Sequence, residues 1–149
     1  VHNADGAGGL VTVRYGDVTD LLLFEGATPR PATVELRSDA RLAFARRVGP
    51  GWRGAGLVDG KELSLERIFH LTAGCKLKYA YADLVQHCLR ITADQKCDFD
   101  LVAESGIDRV EVNDQVCRVP ATGHLKYQDR AWIPVISREE TARASRIHR

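Results

Sequence analysis

Apolar and polar positions alternate from Leu10 onward. Val11, Val13 and Tyr15 fall on one face of an extended segment, Val18 to Phe24 makes a run of buried-strand length, and Val34 with Leu36 and Leu42 with Phe44 repeat the period of two. Turn formers cut this pattern at Gly16-Asp17, Gly26 to Pro31, Ser38-Asp39 and Gly49-Pro50-Gly51. The N-terminal third therefore predicts short strands joined by turns in an antiparallel sheet. Trp52 to Gly60, rich in glycine and weakly periodic, reads as a linker between this sheet and the middle of the chain.

At Ser64 the spacing changes to three and four. Ser64 is a good N-cap, Glu66 suits a first turn, and Leu65, Ile68, Phe69 and Thr72 share a helical face that Gly74 would stop. Lys76 to Arg90 then carries Leu77, Tyr81, Leu84 and Cys88 on one face, with Lys78, Asp83 and Gln86 elsewhere, which predicts a second helix. Alternation returns at Phe99 to Ala103, at Ile107, Val110 and Val112, and at Val116 to Val119 beyond a hairpin-type Asn113-Asp114 turn. Leu125 and Tyr127 lead through Gln128-Asp129-Arg130 to a partner strand at Trp132 to Ile136, where Pro134 marks an edge or an irregular end. The expected fold class is α+β: an N-terminal antiparallel sheet, a central helical pair and a C-terminal β-hairpin sheet. A single domain spans residues 1–149, with a flexible N-terminus at 1–9 and a polar tail at 137–149.

Composition adds bounds. With 44% hydrophobic and 28% charged residues in 149, the chain has the make-up of a globular domain able to bury a core. Twenty-one basic against twenty acidic side chains leave a net charge of +1, so no global field draws in nucleic acid or an anionic membrane. No apolar run approaches the roughly 20 residues of a membrane span. No methionine occurs, position 1 included, which points to a chain cut from a longer precursor. Cys75, Cys88, Cys97 and Cys117 allow two disulfides in an oxidising compartment, or serve as small core residues.

One pairing suggests chemistry. Cys75 follows Gly74 at the start of the second expected helix, where the positive end of the helix dipole would lower its thiol pKa. His124, in Ala121-Thr122-Gly123-His124, opens the C-terminal hairpin and would serve as its general base. Over residues 70–136 these features resemble the small papain-like leader proteases of RNA-virus polyproteins, in which a Gly-Cys segment opens a helix and the histidine lies downstream in a β-hairpin. The resemblance implies a cysteine protease with Cys75 as nucleophile and His124 as base, the N–H of Cys75 in the oxyanion hole, no cofactor or metal, and a peptide or polyprotein substrate in a host cytoplasm. No orienting third residue is identified, since Asp129 falls at a turn.

The competing expectation is a non-enzymatic binding or structural module whose cysteines are bridged, packed or bound to zinc. The block Ala121 to His124, with Trp132 and Pro134 behind it, is also similar to the histidine block of intein-type autoprocessing domains, but the terminal residues those domains need are missing. His70, Cys75, His87, Cys88, Cys97, Cys117 and His124 offer zinc ligands without a Cys-x-x-Cys or His-x-x-x-His spacing. Gly49 to Gly56 lacks the lysine and Ser/Thr of a phosphate loop and reads as a plain loop. Arg46-Arg47 with Arg53, and the arginines of the tail, form small basic patches best read as solvated surface.

Overall fold

A computed structural model describes residues 2–5, 9–24, 35–93, 96–113, 115–128 and 131–134. In chain order these form β1 (His2–Asp5), β2 (Leu10–Tyr15), β3 (Val18–Phe24), β4 (Leu36–Ser38), β5 (Leu42–Val48), β6 (Gly51–Leu65), β7 (Phe69–Asp83), β8 (Cys88–Thr92), β9 (Phe99–Ala103), β10 (Arg109–Val112), β11 (Gln115–Arg118), β12 (His124–Gln128) and β13 (Ala131–Pro134). All belong to one sheet, and the described residues contain no helix.

The α+β expectation is thus corrected to an all-β fold, and both expected helices are strands. Leu63 and Leu65, then Phe69, Leu71 and Ala73, are buried, and more exposed side chains alternate with them. The three-residue turn at 66–68 sets Leu65 and Phe69 four residues apart, and with Ile68 in the turn and Thr72 on the exposed face this spacing imitates a helix. Ser64 caps nothing; it pairs with His70 in the β6–β7 ladder. In the second stretch, Leu77 and Cys88 are buried, whereas Tyr81 is half-buried and Leu84 sits in a turn. The governing pattern is Lys-x-Lys followed by Tyr-Ala-Tyr-Ala, with Ala80 and Ala82 pointing in and Tyr79 and Tyr81 out. Asp83 Oδ1 then accepts from the N–H groups of Val85 and Gln86 at 3.0 Å each, an Asx turn that ends the strand.

Among the described residues, β2, β3 and β5 and the turns at Gly16-Asp17 and Gly49-Pro50 lie where the sequence places them, whereas Trp52 to Gly60, expected as a linker, is strand within β6. Gly16 and Gly49 have φ of +62° and +56° at the first central positions of two-residue hairpin loops, a conformation glycine adopts without strain. Within the stretch expected as a flexible N-terminus, His2–Asp5 pairs with β2. The tail at 137–149 lies outside the described residues.

Strands β6 and β7, 15 residues each, organise the molecule. The first part of β6 and the last part of β7 pair with each other and with β5 and β8; their remaining halves pair together and with β4 and β9. A straight strand of this length would span about 50 Å. Both ends of β7 nevertheless meet one short loop. Ile68 C=O accepts from Glu104 N–H at 2.8 Å, and His87 C=O accepts from Asp108 N–H at 3.0 Å. Five residues reach at most about 18 Å, so β7 arches and the sheet folds on itself into two layers.

Cross-strand rows show how the layers fill the space between them. In the first, Leu23, Ala43, Leu57, Ala80, Ile91 and Val112 are successive partners, as are Leu21, Ala45, Ala55, Ala82, Leu89 and Val110. In the second, Leu63, Leu71, Leu101 and Leu125 form a row, with Ala73, Phe99 and Tyr127 beside it. These residues form one buried cluster. Alanines in the central strands of one layer leave room for leucine and phenylalanine from the other.

Each long strand switches neighbours at its bend, and each switch is fastened. At β6 the register shifts after Gly60, Asp59 has φ +57°, and Asp39 Oδ1 accepts from the N–H groups of Lys61 and Glu62 at 2.9 Å each. At β7 the β8–β9 crossover passes the bend, where Gly74 N–H donates to Asp98 C=O at 2.8 Å and Cys75 is disulfide-bonded to Cys97.

Candidate functional site

The two sequence-predicted site residues are not brought together. Cys75 lies at the β7 bend, packs against the core and is bridged to Cys97, so it carries neither a free thiol nor a helix N-terminus to lower a thiol pKa. His124 opens β12, in register with Val102 and, through it, with His70 of β7. From His70 to Cys75 is five residues of strand, about 17 Å, and two strand spacings add about 10 Å, so the pair lies about 20 Å apart along the sheet.

His124 does have an orienting carboxylate. Its Nε2–H donates to Asp100 Oδ1 at 2.6 Å, from a residue 24 positions earlier on β9. The sequence offered only Asp129, which lies outside the described residues. Near this pair on the outer face of the second layer, Thr72 Oγ1 and His70 Nε2 share a hydrogen bond of 2.9 Å, and Glu62 Oε1 stands 3.7 Å from the same nitrogen. The face is polar and open, and the His70 and Glu62 side chains on it are each close to half exposed.

A pocket lies on the outer face of the first layer. It is a slot of about 360 Å³ lined by Val13, Asp20, Leu22, Phe44, Arg46, Gly54 and Tyr81, with Leu21 and Ala45 beneath. Strand register builds it. Leu22, Phe44, Gly56 and Tyr81 are successive partners across β3, β5, β6 and β7, and Val13, Asp20, Arg46 and Gly54 make the parallel row two residues away. One row is apolar and aromatic, the other polar. The slot lies between them.

Gly54 and Gly56 let the rings lie down on the sheet. An added Cβ at Gly56 would collide with Phe44 Cζ, and one at Gly54 with the Tyr81 hydroxyl. The two rings stack with centroids 6.0 Å apart and planes 21° from parallel. Opposite them Arg46 clasps Asp20 with two hydrogen bonds, Nε to Oδ1 at 2.8 Å and Nη2 to Oδ2 at 2.9 Å. Nη2 also donates to Tyr15 Oη at 2.7 Å, and the Tyr15 hydroxyl donates to Asp20 Oδ2 at 3.2 Å.

The electrostatics follow from this clasp. Hydrogen bonding from Arg46 holds the Asp20 carboxyl below the usual carboxylate range, and the bond to Asp20 pushes the guanidinium pKa up. Burial raises the Tyr81 phenol, with Asp83 adding to it, so the hydroxyl stays protonated. Among the described residues, Arg46 Nη1 and the Tyr81 hydroxyl make no hydrogen bond, and both residues line the slot.

No family model, curated protein or solved structure matches this chain. The site therefore stands on its own geometry. Sequence reading missed it because its residues come from β2, β3, β5, β6 and β7, and only long-range pairing sets them side by side. The one signal was the pair of glycines in Gly54-Ala55-Gly56, read as loop.

The other sequence candidates disperse. Arg46 is neutralised by Asp20, while Arg47 lies over Trp52 with its guanidinium 5.2 Å from the ring centre and 4.0 Å from Glu35. Cys88 is buried and free, and burial raises the free Cys117 thiol. The described residues contain no group of three or more His, Cys, Asp or Glu arranged for a metal ion. Among the described residues, no helix is long and apolar enough to cross a membrane.

Proposed function

We propose that this chain is a non-catalytic binding module of an oxidising compartment, and that the slot over Gly54 and Gly56 is its binding site. The carrying observation is the slot itself: a pocket of ligand size with aromatic walls on one side and a fixed Asp20–Arg46–Tyr15 cluster on the other. The disulfide supports the compartment, because a reducing cytosol would keep Cys75 and Cys97 as thiols. The sulfur that a papain-like mechanism needs is bonded to another.

A ligand that binds the folded chain raises its unfolding temperature by mass action. A small-molecule library screened by thermal unfolding is expected to yield stabilising ligands that Phe44→Ala no longer recognises. Stabilisation unaffected by Phe44→Ala would count against the slot, and peptide hydrolysis that iodoacetamide abolishes would restore the protease reading.

A further inference from the structure

The slot's chemistry also specifies its ligand: we infer that it takes a neutral pyranose ring, one hexose unit of a glycan, stacked on Phe44 and Tyr81 and hydrogen-bonded to Arg46 and Asp20. This rests on the slot being the binding site.

Three observations carry the inference. The first is charge. Arg46 and Asp20 are already paired at 2.8 and 2.9 Å, so the slot presents no net charge. A phosphate or carboxylate on the free Arg46 donors would set its charge beside Asp20, and an ammonium on Asp20 would set its own beside Arg46, whereas a neutral ligand meets neither repulsion.

The second is the mixture of hydrogen-bonding groups. A guanidinium has five N–H donors, and those on Nη1 remain unused among the described residues; an ionised carboxylate has about four lone-pair sites, of which Asp20 has filled three. The Tyr81 hydroxyl can donate or accept. Donors and acceptors thus stand together along one wall. A sugar hydroxyl does both at once and satisfies such a wall from either side. A proline-rich peptide, which also favours aromatic grooves, brings carbonyl acceptors without N–H donors at its prolines and would leave the Asp20 lone pair unmatched.

The third is shape. Phe44 and Tyr81 lie nearly parallel along one wall, with Leu22 beside them, a surface suited to the C–H face of a six-membered ring. A volume of about 360 Å³ is close to the lower end of small-molecule sites, room for one ring and its substituents. Tyr15, 49% exposed at the rim, keeps the polar end open to solvent, where the next unit of a chain would leave.

The test is a titration of the isotope-labelled chain with the methyl glycosides of glucose, galactose and mannose, followed by two-dimensional NMR, with adenosine and hexaproline as comparison probes. At least one glycoside is expected to shift the amides of Gly54 and Gly56. Arg46→Lys keeps an ion pair to Asp20 but loses the Nη1 donors, and is expected to weaken that binding about tenfold, the loss of one charge-assisted hydrogen bond. Tyr81→Phe keeps the ring and removes the hydroxyl, and serves the same purpose if Arg46→Lys unfolds. If adenosine or hexaproline shifts these amides and no glycoside does, the pyranose assignment is overturned while the slot survives as a binding site. If no probe shifts them, or if glycoside binding ignores both variants, the pyranose assignment falls and the slot loses its support as well.

Discussion

Breaking the Cys75–Cys97 bond isolates what holds the two layers in their bent arrangement. The bridge joins positions 22 residues apart with a Cα–Cα distance of 5.5 Å, inside the normal range for a disulfide. Closing a loop of that length in the unfolded chain removes about 11 cal/mol/K of entropy, about 3.4 kcal/mol at 25 °C in the chain-entropy model. The site should deliver most of this, because the enclosed segment carries the end of β7 and all of β8, and the crossover it anchors leads into β9. Against a domain stability of about 5–15 kcal/mol this is a large share. Urea unfolding with and without reductant measures it directly. With a slope of about 1–3 kcal/mol/M, the midpoint should fall by about 1–3 M on reduction, and Cys75→Ala/Cys97→Ala should show the same drop without reductant. Peptide mapping of the non-reduced protein should recover Cys75 linked to Cys97, with Cys88 and Cys117 as thiols. An unchanged midpoint, or Cys75 recovered as a free thiol, would refute the reasoning.

Other perturbations address the second seam and the slot. At Gly60 an added methyl would run into the Cα and Cβ of Ala40, so Gly60→Ala is expected to destabilise by about 1–3 kcal/mol or more in chemical denaturation. Asp39→Ala, which strips the acceptor from Lys61 N–H and Glu62 N–H, should cost about 1–3 kcal/mol, while Asp39→Asn retains an oxygen and should cost less. The Asp20 carboxyl has its pKa depressed in the folded state by the Arg46 hydrogen bond, so its stabilising contribution is present above the unfolded carboxylate pKa and is lost as pH falls below about 4. Thermal midpoints between pH 2 and 6 should therefore decline less steeply for Asp20→Asn than for the native chain; equal slopes would show that the clasp adds nothing to stability.

Local chemistry made part of this fold legible. Gly16-Asp17 and Gly49-Pro50 announced turns, and Asn113-Asp114 a hairpin, because a residue or two suffices to set such a reversal, and Gly16, Gly49 and Asn113 have positive φ in the structure. The alternation of β2 and β5 and the apolar run of β3 were equally readable. The middle was misread because a turn of three residues lets two strands imitate a helix over a short window, and Ala80 and Ala82, good helix formers, were chosen for their small size between packed layers. Arg67 and His87, with φ of +66° and +60°, close the hairpin turns of β7 without glycine, so neither turn had a strong local marker. The slot was least visible of all. Asp20 and Arg46 are 26 residues apart, and their clasp exists only because β3 and β5 pair in one register.

Crystallographic fragment screening tests the central claim, that the slot is where this chain meets its ligand. Fragments are expected to stack on Phe44 and Tyr81 with a polar atom within hydrogen-bond distance of Arg46 Nη1. A slot left empty while fragments gather around His70, Thr72, Asp100 and His124 would contradict that claim and move the function to the other face.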